Sequence, residues 1–208
     1  IVQGRLEGMV DGIYEMTPEQ IAPALEETYL LERLVDDLRT LTLAESGRLR
    51  FDTRPVQIVD VATRVVDVFQ AQAAERQIDL TLTAPTTLPI VVVDPQRLEQ
   101  IIGNLVDNGL RYTPSGGQVR LAIARTNTGV ELSVSDTGPG VAADEVNRVF
   151  DRFWRGEKSR ARSAGGAGLG LAIVRQLVEA QGGQARAASQ PGKGFEIVIA
   201  FPCAEPAA

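Results

Sequence analysis

The amino-acid sequence predicts an α+β fold: a two-layer α/β sandwich, with a mixed sheet and helices on one face, preceded by an antiparallel helical hairpin. The first observation is an N-terminal part with almost no strand-like alternation and no glycine between Ile13 and Ser46. The second is the change beyond Arg50, where short β-branched segments alternate with helical patterns. We therefore expect a hairpin over residues 1–49 and a larger domain over residues 50–208.

The long helix of the hairpin is predicted from a start signal and an apolar stripe. Thr17-Pro18-Glu19-Gln20 combines a capping residue with a proline and an acidic residue, and Gly47 is expected to end the helix. The stripe recurs every three or four residues, through Ile21, Leu25, Thr28, Leu31, Val35, Leu38 and Thr42.

A second apolar row widens this face and predicts more than one neighbouring helix. It consists of Leu30, Leu34 and Leu41. A shorter preceding helix is expected from Ile1, Leu6, Met9, Val10 and Ile13. The pattern predicts a four-helix homodimer, and a hairpin that simply packs against the main domain is the alternative.

The larger domain is predicted to contain three helices and a set of short strands. The helices are Ile58 to Glu75, one that starts at Asp94-Pro95 and runs to about Leu110, and Leu169 to Ala180. The strands are Arg50 to Val56, Leu80 to Thr83, Ile90 to Val93, Val119 to Ala124, Val130 to Ser135, Gln184 to Ser189 and Phe195 to Phe201.

Composition excludes several classes of function. A net charge of -6 argues against general nucleic-acid or anionic-membrane binding. The absence of histidine excludes Ser-His-Asp and Cys-His triads and any metal site that needs an imidazole. A single cysteine, Cys203, cannot form an internal disulfide, and the apolar runs are too short to span a membrane.

Two asparagines on the predicted helix after Asp94 are the first candidate site residues. Asn104 and Asn108 are four residues apart and share a helix face, with Arg111 and Tyr112 one turn further on. An amide oxygen suits Mg²⁺, Arg111 suits phosphate, and Tyr112 can pack on a base or ribose. The alternative for the asparagines is a buried polar pair that caps a neighbouring loop.

A carboxylate and two glycines follow the predicted strand that ends near Ser135. Asp136 can accept a hydrogen bond from an exocyclic amino group such as adenine N6. Gly138 and Gly140 allow the backbone to approach a base closely. A glycine turn closed by an Asx hydrogen bond is an equally good interpretation.

A glycine-rich segment opens the last predicted helix. Gly166, Gly168, Leu169, Gly170 and Leu171 present backbone N–H groups and the positive end of a helix dipole, which favours phosphate binding. The polar segment from Glu157 to Gly165, with Lys158, Arg160 and Arg162, suits a flap, or simply a solvated loop.

An aromatic segment precedes the flap. Most of the aromatic residues in Phe150-Asp151-Arg152-Phe153-Trp154 are expected to anchor it by burial, and Arg155 is the more chemical candidate.

The order of these segments is more specific than any one of them. Asn-Leu-x-x-Asn, Asp-x-Gly-x-Gly, Phe-x-Arg-Phe and Gly-x-Gly-Leu-Gly-Leu occur in succession along the chain. The order closely resembles the N box, first glycine box, F box and second glycine box of sensor histidine kinases. Val35-Asp36-Asp37-Leu38 through Gly47 also resembles the second helix of that family's dimerisation and phosphotransfer hairpin.

The resemblance implies a Bergerat-type ATP-binding fold, shared with gyrase-type and chaperone-type ATPases, and it implies the cofactors ATP and Mg²⁺. It assigns Mg²⁺ to Asn108, adenine to Asp136, and phosphates to Arg111 and the second glycine box. Asn104, Asn108 and Arg111 are the implied catalytic residues. Nucleotide binding is implied for a wider set: Tyr112, Gly138, Gly140, Phe153, Gly166, Gly168, Leu169, Gly170 and Leu171.

Three departures from the family pattern bear on function. Gyrase-like relatives carry a glutamate where Asn104 stands, and an amide cannot take the proton of an attacking water, so phosphoryl transfer is favoured over hydrolysis. Phe195 replaces a family Ser or Thr, which affects the last phosphate-side contact. The phosphoacceptor box, His-Glu-Leu-Arg-Thr-Pro in the family, is absent and is expected upstream of Ile1.

The resemblance therefore implies the core of a two-component kinase, with γ-phosphoryl transfer from ATP to a histidine outside this chain and relay to an aspartate of a response regulator receiver domain. The implied location is cytoplasmic, with the intact protein anchored in the inner membrane through upstream segments. Two alternatives remain: a degenerate, nucleotide-gated interaction module, and an ATPase or anti-sigma-type serine kinase of the same fold.

Overall fold

The computed structural model describes residues 2–156 and 167–203 as a helical hairpin followed by an α/β sandwich. The hairpin consists of α1 (Val2–Val10) and α2 (Pro18–Glu45). Pro18 begins α2 as predicted, but the Thr17 side chain makes no capping hydrogen bond. The helix ends before Gly47, whose φ of 65° is the left-handed conformation that glycine adopts without strain.

The main sheet has five strands, in the order β2-β4-β5-β7-β6. Only the β2 and β4 pair is parallel, and the other pairs are antiparallel, so the sheet is mixed as predicted. The strands are β2 (Asp79–Thr83), β4 (Gln118–Arg125), β5 (Gly129–Asp136), β6 (Gln184–Ser189) and β7 (Phe195–Pro202).

Three helices supply the second layer of the sandwich: α3 (Ile58–Glu75), α4 (Pro95–Tyr112) and α5 (Gly170–Glu179). The Asp94 side chain caps α4 by accepting from the backbone N–H groups of Gln96 and Arg97. Gly109 brings α4 close to the sheet, because a Cβ at this position would lie 3.0 Å from a Val119 methyl carbon. The helix that carries the asparagines is therefore fixed at its start and at its contact with β4.

Among the predicted helices and strands, the largest error is the extent of the strand from Arg50 to Val56. Only β1 (Arg54–Val56) is extended, and it pairs with β3 (Val91–Val93) in a separate two-stranded sheet. The backbone N–H of Asp52 donates instead to the Asp94 carboxylate at 3.0 Å. Because that N–H bonds to a helix cap, the residues before Arg54 do not extend the strand pair.

Helix α2 lies against α5, so the hairpin and the sandwich are in direct contact. Leu41 is buried in the shared core, and Arg152 forms an ion pair with Glu45 near the end of α2. The apolar stripe predicted from the sequence lies mostly exposed, at Ile21, Leu25, Leu31, Val35 and Leu38. Among the described residues, no helix combines the length and the apolar character that a membrane crossing requires.

Candidate functional site

Asn104 lies at the contact between α4 and the start of α5. Its side chain is nine-tenths buried, and its Oδ1 accepts a hydrogen bond from Arg33 Nη2 at 3.2 Å. Its Nδ2 has no hydrogen-bond partner within residues 2–156 and 167–203. A Cβ built on Gly170 would be 3.9 Å from Asn104 Cγ, so the amide lies beside the first turn of α5. The geometry does not match the cap of a neighbouring loop, because this buried amide nitrogen bonds to no group in the described residues.

The first turn of α5 offers further donors. Leu169 occupies the N-cap position and provides no side-chain hydrogen bond. The first N–H groups of a helix have no intrahelical acceptor, and they lie at the positive end of the helix dipole. Leu169 is buried and Leu171 packs on the core, so both hold the helix in position through apolar contacts. Together with Asn104 Nδ2, this turn forms a cluster of donors suited to an anion.

Arg111 is paired with Asp107, a carboxylate outside the predicted set of site residues. Its Nη2 lies 3.1 Å from Asp107 Oδ2, and Arg33 Nη2 approaches the same oxygen at 3.5 Å. Asp107 is four residues before Arg111 on α4, so an ion pair between them is detectable from the sequence. Nothing in the local sequence connects Arg33 to Asp107, because the two residues are 74 positions apart in the chain. Asn108 is half-buried on the same helix face as Asn104.

Asp136 ends β5 and lies in a partly apolar environment. Its Oδ1 accepts from the backbone N–H of Gly138 at 2.7 Å, which is the Asx hydrogen bond considered as an alternative. Burial raises the pKa of the Asp136 carboxyl to about 6, and the hydrogen bonds from the backbone N–H groups of Gly138 and Phe195 oppose that rise. The carboxylate has a second oxygen, so this turn does not use up its capacity to accept.

The two glycines after Asp136 are in crowded positions. A Cβ on Gly138 would lie 2.9 Å from the Tyr112 carbonyl oxygen, which brings the end of α4 next to this turn. Gly140 has a φ of 61°, and its Cβ would lie 2.7 Å from the carbonyl oxygens of Gln190 and Gly194. The backbone therefore approaches closely here because no side chain intervenes.

The segment before α5 differs from the prediction at Phe153. This side chain is 64% exposed with a φ of 58°, so the expectation of burial is wrong for Phe153. Its N–H donates to the carbonyl of Gly168 at 3.0 Å, and this non-local contact holds the residue in the left-handed region. Phe150 packs against the core as expected. Gly166 and the predicted flap lie outside the described residues.

Phe195 lies directly opposite Asp136 on the neighbouring strand. Its backbone N–H contacts the Asp136 carboxyl. A Ser or Thr at this position would offer the same backbone N–H, so this contact with Asp136 does not depend on the Phe195 side chain. The predicted effect of Phe195 on a phosphate-side contact stays a prediction. The hydroxyl in this region belongs to Ser189, which accepts from the N–H of Val141 and donates to the carbonyl of Gly194.

The structure thus brings the predicted residues into two groups. Asn104 lies beside Gly170, while Asp136, Gly138 and the end of α4 at Tyr112 lie together. One group offers donors to an anion, and the other offers a carboxylate acceptor beside closely packed glycine backbone. A ligand with an anionic end and an amino-bearing ring would match both groups.

Comparison with known proteins gives a consistent family. The sequence model of the family described as histidine kinase-, DNA gyrase B-, and HSP90-like ATPase matches residues 93–205. The signal transduction histidine-protein kinase BaeS of Escherichia coli (strain K12) is 37% identical over 97% of this chain, which spans 43% of that protein's length.

Two solved structures are similar in fold and sequence. The Acinetobacter baumannii histidine kinase AdeS has a TM-score of 0.82 at 26% identity, covering 98% of this chain and 94% of that one. Full-length ShkA in complex with AMPPNP has a TM-score of 0.78 at 31% identity, covering 100% of this chain and 43% of that one. The chain therefore belongs to the histidine kinase-, DNA gyrase B-, and HSP90-like ATPase family, and its relatives place it among the sensor histidine kinases.

Proposed function

We propose that this chain is the ATP-binding core of a two-component sensor histidine kinase, with residues 50–208 as the catalytic domain and residues 1–49 as part of the phosphotransfer hairpin. The proposed reaction passes the γ-phosphoryl of ATP to a histidine outside this chain, for relay to an aspartate of a response regulator. The observation that carries the proposal is the unpartnered Asn104 Nδ2 beside the uncapped first turn of α5. Buried donors without acceptors are costly, and phosphate oxygens would satisfy them.

The adenine end of the proposed site is formed around Asp136. Its carboxylate would accept from the exocyclic amino group, and the absence of side chains at Gly138 and Gly140 would let the backbone lie close to the ring. Tyr112 is half-buried next to Gly138 and would border the same space. The solved complex of ShkA with AMPPNP supports this choice of ligand.

The phosphate end would use the backbone of Gly168, Leu169, Gly170 and Leu171. Arg111 would exchange its contact with Asp107 for a phosphate, because a guanidinium donates to phosphate and carboxylate oxygens with the same geometry. Phe153 would border this end through its contact with Gly168.

Asn108 is the proposed ligand of Mg²⁺. Residues 2–156 and 167–203 hold no cluster of three or more acidic, cysteine or histidine side chains that would form a metal site by itself. A single amide oxygen suits Mg²⁺, which takes most of its remaining ligands from phosphates and water. When bound, the ion would neutralise charge on the phosphates.

Asn104 favours transfer to a protein acceptor over hydrolysis. Its neutral amide cannot remove a proton from water, so the chain's contribution is to hold the phosphates and to exclude side reactions. Rapid phosphate release without an acceptor would favour the ATPase alternative. Acid-labile phosphate on a longer chain that contains the acceptor histidine would exclude both alternatives.

The apolar stripe on α2 is the proposed homodimer surface, and the response regulator receiver domain is the proposed partner of the phosphorylated protein. We also propose a cytoplasmic location for these residues, because the reaction requires cellular ATP. Any membrane anchor would lie in other segments of the intact protein.

Calorimetry with a non-hydrolysable ATP analogue and Mg²⁺ tests the site. We expect Asn108→Ala to weaken binding by about tenfold or more in the presence of Mg²⁺, because the ion loses its protein ligand. Asn127→Ala, on the exposed loop between β4 and β5, is the matched control and should bind as the native chain does. Failure of the native chain to bind the analogue would refute the proposed function. Equal affinities of the Asn108 variant and the native chain would refute the metal assignment.

A further inference from the structure

The hairpin contributes a cation to the proposed nucleotide site. Arg33 belongs to α2, and half of its side chain is exposed, yet its guanidinium reaches across to α4. There its Nη2 lies 3.2 Å from Asn104 Oδ1 and 3.5 Å from Asp107 Oδ2. One residue of the hairpin thus contacts two side chains of the helix that carries the asparagines.

Arg33 determines which way the Asn104 amide points. A guanidinium has only donors, so the amide atom that faces it must be the oxygen. The amide nitrogen then points away from Arg33, and this buried Nδ2 finds no acceptor in the described part of the chain. A Cβ built on Gly170 would lie 3.9 Å from Asn104 Cγ, so the amide group is next to the first turn of α5.

Without Arg33, both amide orientations become accessible. The flipped orientation would present the carbonyl oxygen to an incoming phosphate, and two acceptors repel each other. In the native chain, the guanidinium groups of Arg33 and Arg111 share one carboxylate oxygen of Asp107. Without Arg33, Asp107 would pair with Arg111 alone. Both effects would make the site less ready to accept phosphate.

We propose that Arg33 is a positioning residue of the nucleotide site: it orients the Asn104 amide and shares Asp107 with Arg111, so that the docked hairpin strengthens phosphate binding. The inference rests on the proposed ATP site and adds a residue of the hairpin to it. It implies that hairpin docking and nucleotide binding favour each other.

The inference is tested by comparing the binding of two ligands, the ATP analogue with Mg²⁺ and adenosine. Calorimetry measures the binding of the analogue, and NMR titration measures the binding of adenosine. Arg33→Ala should weaken analogue binding by about tenfold, the ratio expected for one lost charge-assisted contact, and leave adenosine binding unchanged. Arg33→Lys should recover most of the affinity, because an ammonium also donates to the amide oxygen.

Two control variants separate positioning from general effects. Arg39→Ala removes an exposed arginine of the same helix and should bind as the native chain does. Arg152→Ala removes a second ion pair that joins hairpin and sandwich in the described part of the chain, the one with Glu45, and should leave the affinity ratio of analogue to adenosine unchanged. A loss in Arg152→Ala equal to that in Arg33→Ala would overturn the positioning role in favour of docking alone.

The Asn104 side-chain amide provides a spectroscopic readout. In ¹H–¹⁵N spectra, the analogue should shift the Asn104 Nδ2 resonances of the native chain and shift them much less in Arg33→Ala. The inference is wrong if the native chain binds the analogue and Arg33→Ala binds it equally well or more tightly. If the native chain itself does not bind the analogue, the proposed function fails first, and the inference fails with it.

Discussion

At the scale of single residues, Asp136 carries an energetic cost that its proposed role explains. Burial raises the pKa of its carboxyl to about 6, so ionisation is less favourable in the folded chain than in the unfolded one. The contribution of Asp136 to stability is therefore most favourable when the carboxyl is protonated, and this contribution falls as the pH rises from about 4 through about 6. A ligand amino group that donates to the ionised carboxylate would offset this cost.

Asp136→Asn should remove that cost while it weakens nucleotide binding. The amide oxygen can still accept from the Gly138 N–H, but the variant has no charge to bury. Above pH 7 we expect the free energy of unfolding to rise by up to about 3 kcal/mol, with the gain vanishing below about pH 4. Urea denaturation at a series of pH values measures this, with the exposed Asp67→Asn as control. A gain that is the same at all pH values would contradict the explanation.

The affinity of the native chain for the ATP analogue should also depend on the ionisation of Asp136. With pH it should change in the direction opposite to the contribution of Asp136 to stability. As the pH falls through about 6, Asp136 takes up a proton and becomes a weaker acceptor, so binding should weaken.

At the scale of elements, the turn before α5 contains a glycine with a left-handed φ in a crowded position. Gly168 has a φ of 71°, and a Cβ there would lie 2.7 Å from the Trp154 carbonyl oxygen. Gly182, after α5, has a φ of 78° and open space around its Cβ position. The two positions share a backbone conformation and differ in crowding.

Gly168→Ala should therefore destabilise the chain more than Gly182→Ala. Both substitutions incur the cost of a left-handed φ, about 1 kcal/mol, but only the first forces Trp154 and Phe153 away from the turn. We also expect Gly168→Ala alone to weaken binding of the ATP analogue, because the start of α5 moves. Thermal denaturation and calorimetry of both variants measure these effects. Equal losses of stability would show that the crowding is relieved at no cost.

The elements also show what the sequence can predict. Helix α4 agrees with the prediction at its start because its signals are local: Asp94 caps it and Pro95 occupies its first turn. The predicted start of β1 and the predicted burial of Phe153 were wrong because distant partners decide both, the Asp94 carboxylate and the Gly168 carbonyl. The predicted end of β1 at Val56 agrees with the structure. Asp107 was within reach of sequence reasoning as an i,i+4 partner of Arg111, whereas Arg33 was not.

At the scale of the whole molecule, α2 has one face packed against the rest of the chain and another that is apolar and exposed. Leu41 and its neighbours Asp37 and Thr40 are buried against the rest of the chain. On the other side, Leu31, Val35 and Leu38 are 55%, 66% and 49% exposed. A contiguous apolar stripe of this kind is unusual on a monomer and marks a protein interface. The spacing of three and four residues suits packing against other helices.

A charge in the middle of that stripe should shift the proposed dimer toward monomers. Val35→Glu places a carboxylate where two hairpins would meet, and burying it unpaired would be costly. Val68→Glu is the matched control, because Val68 is 74% exposed on α3, outside the hairpin. Sedimentation velocity over a range of micromolar concentrations should show weaker self-association for Val35→Glu only. Both variants should still bind the ATP analogue, since neither residue contacts the proposed site. A native chain that stays monomeric throughout would refute the assignment of this face to a second copy.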